Sequence, residues 1–124
     1  MQRCLIRWWQ YKAREFGVPI LCLMSIPNGG GRSGAVIGSI LKAEGLRKGA
    51  PDLFLACGRM RNKMVEGVVT ADSYHGLFLE LKTPEGRVSP EQEVYHEILR
   101  HQGYRVEVCR SFEQCVYVIT KYLT

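Results

Sequence analysis

Asp52, Glu80 and Lys82 are the residues of this 124-residue chain best able to do chemistry together. Pro51-Asp52 opens one short apolar run, and Glu80-Leu81-Lys82 closes another that begins Leu77-Phe78-Leu79. Residues two apart in a strand share a face, so Glu80 and Lys82 project together while Leu79 and Leu81 point the other way. If the two strands are neighbours, Asp52 meets Glu80 at one end of a sheet. Paired carboxylates there suit a hard divalent cation, Mg2+ or Mn2+, with water completing the coordination. Such an ion polarises a phosphate and helps generate hydroxide, while Lys82 orients the water or offsets developing negative charge. The Glu-x-Lys triplet alone is usually a cross-strand ion pair or a solvated face, and a charged strand end also serves as plain edge protection. Its weight comes from its place. It is the only acidic-x-Lys triplet in the chain, and it ends an apolar strand downstream of Pro51-Asp52.

The elements that must position these groups follow from periodicity and punctuation. Leu5, Ile6, Trp8, Trp9, Ala13 and Phe16 recur at helical spacing over residues 3–16, stopped by Gly17 with Pro19 beyond. Residues 20–26 read as a short buried strand, and 27–34 as a glycine-rich loop. Helical spacing returns over 35–44 through Val36, Ile37, Ile40 and Leu41, with Gly45 as the stop. Strands are expected over 52–57 and 77–82. The intervening 58–75 reads as an extended hairpin or flap, with an extra strand at 65–70, because plain loops of that length are uncommon. Ser89-Pro90-Glu91-Gln92 is a helix start, with Ser as N-cap, Pro at the first position and Gln three after the cap. Val94, Tyr95, Ile98 and Leu99 are expected on its inner face, with His96 and His101 at the surface. A strand over 104–109 and a final helix opened by Ser111 complete a mixed α/β domain with one central sheet. The expectation is one domain over residues 1–124, carrying 58–75 as an insertion.

Composition narrows the function classes. A hydrophobic share of 46% and a charged share of 23% suit a globular chain and argue against disorder. No apolar run approaches the roughly 20 residues of a membrane span. The first residues mix Arg3 and Arg7 with Trp8 and Trp9 and do not read as a signal peptide, so a soluble cytoplasmic protein with no membrane partner is expected. Five scattered cysteines lack zinc-ligand spacing and read as buried thiols in a reducing compartment. A net charge of +5 favours a polyanionic partner such as DNA, although charge alone is weak support.

Several longer stretches resemble one family. Pro27-Asn28-Gly29-Gly30, Gly38 to Leu41, residues 41–53 ending Gly49-Ala50-Pro51-Asp52-Leu53, Gly76 to Lys82, and Gly86-Arg87-Val88-Ser89-Pro90-Glu91-Gln92 occur in the order of the VRR-NUC family, the virus-type replication-repair nucleases. The resemblance runs from about residue 5 to residue 119, and is closest to the stand-alone members found in phages and bacteria. It implies a restriction-endonuclease-like core of the PD-(D/E)XK type, with a metal site at Asp52 and Glu80 completed by the Leu81 backbone carbonyl, and Lys82 as the catalytic lysine. Members often carry a glutamate on the first helix ahead of the position Gln2 resembles. Here Glu15, near that helix's end, is its only acidic residue.

The remaining residues divide between two readings. Gln92 is either a contact to the site, as the family pattern suggests, or simply a helix cap. Asn28 shapes a loop close to the DNA backbone or an ordinary turn. Arg32, Lys42, Arg47 and Lys48 read as phosphate contacts or as a solvated helix face, and Arg87 lies where it could reach DNA. Trp8 and Trp9 read as core or interface, and Tyr95 as core. The function expected is Mg2+- or Mn2+-dependent DNA hydrolysis. The resemblance points further, to homodimeric resolution of four-way (Holliday) junctions, with the first helix or the 58–75 flap as dimer contacts. A flap-directed, nicking or non-selective nuclease is one alternative. A non-catalytic DNA-binding module, in which Glu80 and Lys82 merely pair, is another, and a protein-binding accessory factor is a third.

Overall fold

A computed structural model describes residues 1–27 and 35–124. The helix α1 spans Gln2–Lys12. Its buried residues Leu5 and Trp9 and its C-cap Ala13 follow one another at intervals of four, so one stripe enters the core. Gly17, at φ +71, turns the chain out of the helix. The strand expected over 20–26 is shorter than its apolar run. Residues Ile20–Cys22 form a tight 3-10 turn, and only Leu23–Ser25 are extended as β1. The Trp9 indole N–H donates to the Ile20 carbonyl at 2.8 Å, and Cys22 N–H to that of Pro19, so these two groups are not available to a strand ladder.

Beyond α2 (Ala35–Ala43), the chain enters β2 (Leu53–Leu55), which lies between β1 and β5 (Leu77–Leu81), antiparallel to both. The strand β6 (Arg105–Cys109) pairs parallel with β5, giving the order β1-β2-β5-β6. Parallel neighbours need a crossover, and α3 (Pro90–His101) supplies it. Leu53, Leu55, Leu77 and Leu79 alternate onto one face, in a core with Leu5 and Trp9 of α1 and with Ile119, Tyr122 and Leu123 of α4 (Phe112–Leu123). The opposite face carries Phe54 and Phe78, stacked at 4.4 Å, with Tyr104 edge-on. Among the described residues no helix is long and apolar enough to cross a membrane.

Residues 59–74 form a ribbon of their own. The strands β3 (Arg59–Val65) and β4 (Val68–Tyr74) pair antiparallel with each other and with no strand of the main sheet. The strand expected over 65–70 is therefore wrong in detail, because a two-residue turn at Glu66-Gly67, both at positive φ, falls inside it. At its base, the Arg59 guanidinium donates to the Leu123 carbonyl at 2.7 Å and so ties the ribbon to α4.

The helix α3 has both halves of a capping box: Gln92 N–H donates to Ser89 Oγ at 3.2 Å, and Ser89 N–H to Gln92 Oε1 at 2.9 Å. Its rotation differs from expectation. Val94 and Ile98 are 61% and 53% exposed, whereas His96, expected at the surface, is 2% exposed. The physical reason is the side-chain contact Gln92 makes to β5, described below, which turns the Gln92 and His96 side inward. Trp9 is buried and Trp8 half-buried, while of the cysteines only Cys109 and Cys115 are fully buried and Cys4 is exposed. Ser89→Ala removes the cap of the helix that faces β5, so stability in urea should fall by about 1 kcal/mol. An unchanged unfolding midpoint would show that the cap does not hold α3.

Candidate active site

Asp52 and Glu80 come together because β2 and β5 are neighbours in this register. Leu53 pairs with Leu79, and the ladder runs one step further, with Asp52 N–H donating to the Leu79 carbonyl at 3.0 Å. The Asp52 carboxylate turns back across the sheet and accepts the Leu81 N–H at 2.7 Å. The approach to Asp52 is held by a close packing that only glycine permits. Gly49 has φ +90, and a Cβ there would sit 2.8 Å from the Glu91 carbonyl oxygen, so the turn before Pro51 lies directly against the first turn of α3.

Glu80 projects from β5 on the face that α3 covers, and only 2% of it is exposed. Two side chains hold it: the Gln92 amide donates to Oε1, and the Lys82 ammonium lies 3.6 Å from the same oxygen. One amide thus does two things. Gln92 Oε1 caps α3 while its Nε2 grips Glu80, so cap and site contact are not alternatives. The other carboxylate oxygen, Oε2, is buried and has no hydrogen-bond partner among the described residues. Burial pushes the Glu80 carboxyl up from 4.5 to about 7, the Asp52 charge adds to the rise, and Lys82 opposes it. Two crowded carboxylates with an unsatisfied buried oxygen are short of positive charge, and the donor set is all oxygen, as a hard divalent cation requires. Among the described residues no group of three or more His, Cys, Asp or Glu is placed to hold a metal. Glu15 instead pairs with Lys12 at 3.1 Å.

The other residues singled out from sequence lie at varying reach. Lys48 pairs with Glu91 at 3.5 Å, at the head of α3. Lys42, Arg47 and Arg87 are exposed, on α2, the turn that follows it and the loop after β5. Asn28 and Arg32 lie outside the described residues. Two further residues escaped the sequence reading. His96, one turn beyond Gln92, is buried with Nε2 unpartnered; burial holds its imidazole below the usual range, and the Arg100 charge lowers it further. Spacing of four from Gln92 was the available signal. Arg110 donates to the Thr83 and Gly86 carbonyls, bracing the loop that leaves Lys82, and no sequence pattern marks it.

A family model described as the VRR-NUC domain matches residues 2–113. The chain belongs to the VRR-NUC family. A solved structure titled "VRR_NUC domain protein" shares the fold, with a TM-score of 0.73 and 22% identity, over 98% of this chain and 83% of that one. No curated protein sequence matches the chain. VRR-NUC membership makes this a nuclease domain and implies a DNA substrate. Its central four-stranded mixed sheet with flanking helices is the fold that the sequence resemblance implied.

The raised Glu80 carboxyl has a measurable consequence in chelator. A carboxyl that holds its proton more tightly in the folded state adds stability below pH 4.5, and that contribution is lost as pH rises through about 7. The loss amounts to at most about 3 kcal/mol. Glu80→Gln should remove this slope and melt higher than the parent protein at pH 8 but not at pH 4. Parallel melting curves for the two proteins across that range would refute the assignment.

Proposed function

We propose that this VRR-NUC domain is a Mg2+- or Mn2+-dependent endodeoxyribonuclease whose site is Asp52, Glu80, Lys82 and Gln92. The observation that carries the reading is the buried, partnerless Oε2 of Glu80 beside Asp52. Asp52 and Glu80 would hold the ion, and the Leu81 carbonyl suits a third donor. The Leu81 N–H already points at Asp52, and in an extended strand the carbonyl of the same residue points to the same side. When bound, the ion supplies Lewis-acid polarisation of the scissile phosphate and a lowered pKa for attacking water. The protein's own groups do the rest. Gln92 fixes the Glu80 rotamer, so that Oε2 stays presented. Lys82, held by Glu80, orients water or offsets charge developing on the phosphate. Asn28, Arg32, Lys42, Arg47, Lys48 and Arg87 are assigned to the DNA backbone, which positions without reading sequence.

The preferred substrate in this reading is a four-way junction, cut by a homodimer. One subunit carries one site and resolution takes two symmetric cuts, which a two-fold pair provides. The 58–75 insertion is the better candidate for the subunit contact. Met60, Met64, Val65, Val68 and Val69 are all more than half exposed on the ribbon, and an isolated two-stranded ribbon is marginal in water. The aromatic side of α1 is spent inside the subunit, with Trp9 stacked on Phe16. Met60→Lys with Met64→Lys should therefore convert dimer to monomer in analytical ultracentrifugation. A dimer that survives both changes would move the interface elsewhere.

Cleavage of a labelled four-way junction and a matched duplex, with Mg2+, Mn2+ or chelator, tests the activity. Paired symmetric cuts on the junction are expected, abolished by chelator and by Asp52→Ala. Lys82→Ala should slow cleavage at least 100-fold, with DNA binding retained. Equal cutting of both substrates would leave a nuclease without junction selectivity. Tight binding with no cutting by the intact protein would reduce Glu80–Lys82 to an ion pair in a DNA-binding module.

A further inference from the structure

The outward face of α1 carries a row of cations that the site does not use. At 100° per residue, Arg3, Arg7, Gln10 and Arg14 fall within an arc of about 60°. Arg14 continues the row into the turn that follows the helix. The buried stripe Leu5, Trp9 and Ala13 lies on the far side of this arc. All four polar residues are exposed, and the three guanidinium groups have no hydrogen-bond or ion-pair partner among the described residues. The one carboxylate of this segment, Glu15, is turned away from the row and taken by Lys12. Some exposed cations elsewhere are answered by a carboxylate: Lys48 has Glu91, Arg100 has Glu97 and Arg105 has Glu107. A row of three arginines with no acidic group among them is costly in self-repulsion unless an anion answers it.

The position of the row says which anion. The Met1 sulfur lies 4.0 Å from the Cys115 thiol, and Cys115 shares the buried core with Cys109. The Cys109 carbonyl accepts the Lys82 N–H at 2.9 Å. The first turn of α1 therefore lies at the sheet end that carries Lys82, though on the leucine face and not on the face of Glu80, and the row runs from there along the helix for about 16 Å. A duplex presents one phosphate per about 3.4 Å of axis on each strand, so this length covers several.

We infer that Arg3, Arg7 and Arg14 form a ridge that binds the phosphate backbone of DNA flanking the cleavage site. The inference rests on the nuclease reading for its partner. It adds a second contact surface, separate from the cations of α2 and the loop after β5. Contact with phosphates alone predicts no base preference and a strong salt dependence.

The test is binding of a labelled duplex in chelator, at several salt concentrations, by the intact chain and by Arg3→Gln/Arg7→Gln/Arg14→Gln. A plot of log affinity against log salt should lose about 0.9 in slope for each phosphate contact removed, roughly 2 to 3 in all. The triple Arg→Lys protein should keep most of the slope, which a purely structural role for arginine would not explain. A slope unchanged by the triple Gln substitution overturns the ridge, and Mg2+-dependent cutting by the same protein would show that the nuclease reading survives. Arginine-dependent binding without any cutting by the intact chain would sustain the ridge and remove the nuclease reading. Arginine-dependent binding to anionic phospholipid vesicles with none to duplex would overturn the ridge as a DNA surface.

Discussion

A carboxylate cannot be buried beside another carboxylate unless something holds it there, and Glu80 is both buried and next to Asp52. Much of the surrounding structure serves that constraint. The β2–β5 register brings the two acids together, the parallel crossover brings α3 back over β5, and the Gln92 amide joins the two by gripping Glu80. Because the same amide closes the cap of α3, the position of the helix and the conformation of the acid are not independent. The hold is incomplete by one oxygen, Oε2, which is buried without a hydrogen-bond partner among the described residues.

What could be read in the sequence was what is encoded locally. The apolar runs at Leu53 and Leu77, the Ser89-Pro90-Glu91-Gln92 start and the spacing of Glu80 and Lys82 all act within a few residues, and each appears near its expected place. Those features sufficed for the fold class, and for suspecting that Asp52 and Glu80 meet. What could not be read depends on contacts across the fold. The apolar run at Ile20 fails to extend as a strand because an indole eleven residues earlier takes its carbonyl. Val94 and Ile98 look like core and are not, because the rotation of α3 is set by one bond to β5. Glu66-Gly67 was a poor hairpin signal because Glu seldom accepts positive φ. The orphaned oxygen of Glu80 has no sequence signature at all.

The two faces of the sheet carry different duties. The leucine face is closed by α1 and α4 and supplies the apolar burial. The phenylalanine face carries Glu80, and over it lies α3, which brings Gln92 to Glu80 and leaves Val94 and Ile98 exposed. Putting the polar machinery on the thinner side keeps desolvated charge out of the main core. It also sets α3 against the site, with His96 buried one turn from Gln92.

The β3–β4 ribbon divides the chain in a way that matters for how a nuclease of this kind could be controlled. Of the proposed site, everything before it contributes one carboxylate, Asp52, and everything after it contributes Glu80, Lys82 and Gln92. The ribbon adds no strand to the central sheet, and its turn at Glu66-Gly67 lies at an exposed tip. Exposed tips of this sort tolerate new chain ends well. A chain opened there would yield two polypeptides, each with part of the site, that regain a complete constellation only when β2 finds β5. The ribbon is in effect a seam, along which one small nuclease can be turned into a two-component device that is inert until its halves are brought together.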